Sequence, residues 1–198
     1  MGIGEPLHNF NNVMDFLETI SSPGGLNIGM RNISLSTCGL VPKIDELAKR
    51  KLQLTLSISL HAPNNKMRSS MMPVNDAYPL EQLIPACRRY QQATGRRISF
   101  EYSMVRGVND SPETALELAC LIRGMGAHVN LIPINPVDGS PYSATDDKNI
   151  RRFRDLLEQL GVNATVRRRL GAAISAACGQ LRRAAARQSS AMERNDPT

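Results

Sequence analysis

Short runs of branched and apolar residues alternate along the chain with longer stretches whose apolar positions recur every three or four residues. The short runs predict β-strands over residues 32–36 (NISLS), 54–59 (LTLSIS), 98–104 (ISFEYSM), 128–132 (HVNLI) and 163–166 (NATV). The longer stretches predict helices. Residues 11–21 carry Val13, Phe16, Leu17 and Ile20 on one stripe, and residues 42–50 form a shorter helix. Residues 80–94 form another, in which Pro85 must kink the helix or mark its first turn. Residues 111–124 have a start signal, with Ser111 as N-cap, Pro112 at the first position and Glu113 behind, and Gly124 closes them. Residues 146–160 place Ile150, Phe153, Leu157 and Leu160 on one face before Gly161. A last helix is expected from about residue 172 to 187. Strand and helix alternating about five times mean an α/β fold with a parallel sheet. Strands this short suit a barrel or partial barrel as well as a doubly wound sheet. No repeat or linker divides the chain.

The 198 residues suffice for one domain with a sizeable core, or most of one. No apolar run approaches the roughly 18–20 residues that would span a bilayer, and no secretory signal is visible, so the chain reads as cytosolic. Only 4% of residues are aromatic and none is Trp, which argues against numerous base-stacking platforms. Charge changes the picture more. Residues 1–150 hold 14 basic and 14 acidic residues, whereas residues 151–198 hold 10 basic, all Arg, and 4 acidic, and so carry the whole net charge of +6. Arg suits planar phosphate contacts, so this basic end on a neutral body points to a nucleic-acid partner. A solvated helix face with a basic tail is the alternative. The four cysteines, Cys38, Cys87, Cys120 and Cys178, show no CxxC or CxxxCxxC spacing, which argues against a zinc or cluster site made by this chain.

In parallel α/β folds chemistry collects at the C-terminal ends of strands. There the sequence places Ser36-Thr37-Cys38-Gly39, Ser59-Leu60-His61-Ala62-Pro63-Asn64 and Asn135-Pro136, with Glu101 inside the third strand. The opening Gly4-Glu5-Pro6 would be a turn of the same kind. Any one such turn can be explained as a strand ending in Ser, Asn, Gly or Pro. The whole set, with a Glu and a His included, reads as a site able to hold a polar cofactor from several sides. Cys178 sits in "AACGQL", near a helix start and Arg182, where a thiolate would be favoured; a buried inert thiol is the other reading.

The segments "MGIGEPLHNFNNV", "ISLSTCGLVP", "LSISLHAPN", "NLIPINP" and "AACGQLR" occur in an order that resembles the radical-SAM RNA methyltransferases acting on carbon 2 of an adenine (RlmN, with Cfr as a close relative). The resemblance runs from Met1 to about Arg183. It implies a partial (β/α) TIM-like barrel of the radical-SAM type over residues 1–183, followed by a disordered tail over 184–198. It implies S-adenosylmethionine and a [4Fe–4S] cluster as cofactors, and 23S rRNA, with tRNA in dual-specificity members, as substrate. By motif match, Gly4 and Glu5 would meet the methionine amino group, while Ser36, Ser59, Leu60, His61 and Asn135 would make the other cofactor contacts. Cys178 would be the methyl-carrying cysteine. It would take a methyl group by direct displacement, and a second S-adenosylmethionine, cleaved reductively, would turn that methyl into a carbon radical able to add to the adenine. A reducing electron-transfer protein is the implied partner, and a monomer the expected state.

Two departures qualify the match. The family's CxxxCxxC, its proposed general base and its small RNA-binding domain lie upstream of the "GEP" turn and are absent here. The chain is therefore expected to be an N-terminally truncated C-terminal portion, unable by itself to cleave S-adenosylmethionine reductively. The family pattern "GxDIxAACGQL" also loses its carboxylate at Ala173. Methylation of adenine carbon 8 by a relative with the same motifs, and an inactive RNA-binding remnant, are the alternative functions.

Overall fold

The computed structural model describes residues 4–135 and 141–168. Five strands, β1 (Ser34–Thr37), β2 (Thr55–Ser59), β3 (Ile98–Met104), β4 (His128–Pro133) and β5 (Asn163–Val166), form one sheet. All neighbours are parallel and the spatial order is β1-β2-β3-β4-β5. A doubly wound sheet reverses direction at a switch point, and this one never does. Consecutive order is the barrel arrangement, left open here with β1 and β5 as its edges.

The helices are α1 (Phe10–Ser21), α2 (Val41–Lys49), α3 (Asn65–Met71), α4 (Val74–Ala77), α5 (Leu80–Thr94), α6 (Pro112–Leu121) and α7 (Asp147–Gln159). Ser111 caps α6 as the sequence indicates, and Asp146, expected inside α7, caps it instead. Ser111 Oγ accepts from Thr114 N, and Asp146 Oδ1 accepts from Asn149 N. Pro85 lies inside α5 rather than in its first turn. Helices α3 and α4 were not expected, because residues 65–77 show no apolar stripe. The expected stripe of α1 also differs: Phe10 and Leu17 are buried, one pair of turns apart, while Phe16 is 59% exposed. The helix expected near 172–187, the tail over 184–198, Ala173 and Cys178 lie outside the described residues. Among the described residues no helix is long and apolar enough to cross a membrane.

Side chains alternate between sheet faces, and here the two faces differ sharply in chemistry. One face carries Leu35, Leu56, Ile58, Ile98, Phe100, Tyr102, Val129, Leu131 and Ala164. These join Ile44 and Leu47 of α2, Leu83 of α5, Leu118 of α6 and Ile150, Phe153 and Leu157 of α7 in a single core. The rings of Tyr102 and Phe153 stack with centroids 5.5 Å apart. The opposite face is polar. Ser36, Ser57, Ser99, His128 and Asn163 lie in one register row, and Ser59, Glu101, Asn130 and Thr165 in the next. Right-handed crossovers stepping one way put α2, α5, α6 and α7 on the first face, which leaves the second free to be polar.

Candidate functional site

The Gly4–Glu5 turn sits against the end of β1. Glu5 Oε2 accepts from Cys38 N at 2.7 Å, and Oε1 accepts from Leu7 N at 3.1 Å, capping the short 3-10 helix Pro6–Asn9. Gly4 has φ +109°, a conformation that L side chains rarely adopt, and a Cβ there would meet nothing within 4 Å among the described residues. Among the described residues the turn therefore leaves space beside a carboxylate. Next along the sheet, Ser36 stands exposed on the polar face of β1.

Segment 59–61 bends away from β2 as it leaves the sheet. Leu60 N and His61 N both donate to Glu101 O, at 3.0 and 3.2 Å. The Leu60 side chain is fully buried in the core, so any contact of Leu60 with a ligand is confined to main chain that β3 and Arg68 already engage. His61 adopts φ +60°. Its Nδ1 accepts from Ser103 N at 3.1 Å, and its carbonyl accepts from Asn109 Nδ2 at 2.7 Å. Burial around the ring, reinforced by the nearby Arg68 charge, pushes the His61 pKa down to about 4. The imidazole is neutral at pH 7, with Nδ1 as acceptor and the proton on Nε2. Asn135, half-buried, lies two residues beyond β4. The strand-end set Glu5, Ser36, Ser59, His61 and Asn135 thus shares one rim of the sheet. Cys178 lies outside the described residues.

Two residues that motif reading missed hold this rim together. Arg68 of α3 is fully buried. Its Nη2 donates to Cys38 O (2.7 Å) and Ser59 O (3.2 Å), its Nε to Leu60 O (3.2 Å) and its Nη1 to Asn75 Oδ1 (3.0 Å). One guanidinium therefore ties the end of β1 to the end of β2, a task suited to a planar fork of donors. Buried Asn109 does the same between β2 and β3: Nδ2 donates to His61 O and Ser103 O, and Oδ1 accepts from Val105 N. The only signals in the sequence are an Arg and an Asn shortly after strand ends. Burial, then the hydrogen bond and charge of the neighbouring Glu5, push the Cys38 thiol up to about 12, which favours its protonated form at neutral pH.

Beyond the ends of β4 and β5, Arg151, Arg154, Arg167 and Arg168 line a cleft together with Pro133 and Val166. Among the described residues no three His, Cys, Asp or Glu side chains converge to hold a metal ion, and Cys38, Cys87 and Cys120 are free thiols.

Residues 1–119 match the family described as the Radical SAM superfamily. A protein of Desulforudis audaxviator named "Probable dual-specificity RNA methyltransferase RlmN" is 57% identical over 183 residues, 92% of this chain and 58% of its own length. One of the same name from Desulforamulus reducens is 55% identical over 92% of this chain and 52% of its own length. The crystal structure of a radical SAM methyltransferase from Sphaerobacter thermophilus superimposes with a TM-score of 0.87 at 49% identity, covering 91% of this chain and 53% of that one. The chain spans about half the length of the curated relatives it matches.

Proposed function

The chain belongs to the radical SAM superfamily, and on that premise we propose that it forms the S-adenosylmethionine-binding part of an RNA methyltransferase acting on carbon 2 of an adenine in 23S rRNA and in tRNA. The observation that carries the proposal is the polar rim at the strand ends of the sheet, which is built from the segments through which the sequence resembles these RNA methyltransferases. Superfamily membership implies S-adenosylmethionine and a [4Fe–4S] cluster. The rim fits the first: a carboxylate beside an open glycine turn suits an ammonium group, and hydroxyl, imidazole and amide groups follow across the sheet. It does not fit the second, since the described residues offer no ligand set for a cluster.

In this reading, bound S-adenosylmethionine supplies the methyl group. Gly4 and Glu5 take the methionine amino group. Ser36, Ser59, the main chain at Leu60, neutral His61 with its Nε2 proton, and Asn135 orient the remainder. Cys178, as a thiolate, would be the acceptor of that methyl group, with S-adenosylhomocysteine as the leaving group. The arginine cleft beyond β4 and β5 meets RNA phosphates. Residues 1–183 are the barrel portion, and the enzyme works as a monomer in the cytoplasm with a reducing electron-transfer protein. The test is methyl transfer from labelled S-adenosylmethionine to 23S rRNA, in an enzyme that joins these 198 residues to a cluster-binding region. Formation of 2-methyladenosine that disappears in Cys178→Ala supports the proposal. An 8-methyl product, or full activity in the variant, overturns it.

A further inference from the structure

Glu101 was singled out in the sequence, yet no role described above uses it. Its position ties it to the rim in three ways. Its main-chain oxygen receives the N–H groups of both Leu60 and His61. Its side chain shares a face and a register row with Ser59, one strand away. Its carboxylate is held from the far side, Oε2 by Asn130 Nδ2 at 2.8 Å and Oε1 by a long 3.4 Å contact from Ser99 Oγ. Among the described residues no Lys or Arg forms an ion pair with it. A carboxylate offers about four lone-pair sites, so two neutral donors leave about half of them open. The carboxylate is thus oriented by neutral donors, with lone pairs left for a ligand.

Distance selects the part of the ligand. Glu5 lies at the end of β1, and Glu101 on β3 is two strands away, roughly 10 Å at about 4.8 Å per strand. In S-adenosylmethionine the sulfonium is four bonds from the amino nitrogen, about 5 Å at most, whereas the ribose hydroxyls are about eight bonds away, roughly 10 Å extended. With the amino group at Glu5, the sulfonium falls short of Glu101 and the ribose diol reaches it. A carboxylate is a good acceptor for such hydroxyls.

We infer that Glu101 is a further cofactor-binding residue, its carboxylate accepting hydrogen bonds from the ribose hydroxyls of S-adenosylmethionine; this rests on the reading of the rim as the S-adenosylmethionine site. Asn130 and Ser99 act through it by fixing the carboxylate.

The test is equilibrium dialysis of the purified 198-residue chain, wild type and Glu101→Gln, against S-adenosylmethionine, S-adenosylhomocysteine and a 2′,3′-dideoxyribose analogue of the latter. Loss of a charge-assisted hydrogen bond predicts that Glu101→Gln weakens the first two ligands alike, by about tenfold to hundredfold. The wild type should bind the dideoxy analogue more weakly than its parent by a similar factor, and Glu101→Gln should add no further loss with it. The wild-type comparison stands even if the variant folds poorly, which its urea midpoint reveals. Unchanged binding by a folded Glu101→Gln overturns the inference. So does weakening confined to S-adenosylmethionine, which would place the sulfonium at Glu101, or wild-type indifference to the missing hydroxyls. If the wild type binds none of the three ligands, the reading of the rim itself falls, and this inference with it.

Discussion

Replacing Arg68 by methionine removes four hydrogen bonds from the interior at once while keeping much of the side chain's apolar volume. The acceptors left behind are the carbonyls of Cys38, Ser59 and Leu60 and the amide oxygen of Asn75. Hydrogen bonds to a charged group are worth about 1.5–3 kcal/mol each, so a simple sum would exceed 6 kcal/mol. Two effects reduce it. The guanidinium is itself expensive to bury, as its pKa, lowered mainly by desolvation, indicates. Each carbonyl also has a second lone pair that other donors or entering water can use. The net expectation is a loss of ~3 kcal/mol, the low end of what breaking a buried charged network costs. In urea, with a slope of about 2 kcal/mol per molar, that loss lowers the unfolding midpoint by about 1.5 M. Arg68→Lys keeps the charge but cannot reach both strand ends with one ammonium, so its midpoint should fall between the two. A midpoint shift below about 0.5 M for Arg68→Met would refute the claim that this guanidinium clasps β1 to β2. Full recovery in Arg68→Lys would show that charge, not the planar fork, is what matters.

Gly39→Ala should cost ~2 kcal/mol, since φ is +107° and the new Cβ would lie 3.0 Å from Leu83 Cδ1; a midpoint equal to wild type would contradict it. Glu5→Ala leaves the N–H groups of Cys38 and Leu7 without their acceptor and should lower stability by ~1–2 kcal/mol, with dialysis showing loss of S-adenosylmethionine binding; retained binding would remove Glu5 from the site. His61 should make stability pH-dependent. Its folded pKa of about 4 lies below the ordinary 6.5, so the unfolded chain binds the extra proton. That stability is fully present above pH 6.5 and is lost as pH falls toward 4, at up to ~1.4 kcal/mol per pH unit. Urea midpoints at pH 7 and pH 5 that differ no more in wild type than in His61→Gln would exclude it.

Much of the fold was legible because it is local. Strands β3 and β5 fall on the residues that their branched runs mark, and Ser111 caps the helix that follows it. Whether the sheet was a barrel segment or doubly wound was not legible, since strand order depends on contacts between residues far apart in the chain. Helix α3 was missed because what it buries is the side chain of Arg68, a residue that apolar periodicity counts as surface. The rim was legible in part through the strand-end rule, which placed Ser59 and His61 after β2, whereas the seating of Glu5 against the end of β1 is a contact the rule did not give. The clasps Arg68 and Asn109 were not, because their partners are main-chain carbonyls, and a carbonyl has no identity in the sequence.

The contrast between the two sheet faces has an evolutionary consequence. Residues facing the helices are constrained by volume, and most changes to them cost stability. Serines and asparagines on the opposite face contribute little to the core, so exchanging them alters what the sheet can hold at small cost in stability. A lineage could therefore retune its ligand chemistry one polar side chain at a time on an unchanged scaffold, which is how one architecture comes to host many reactions.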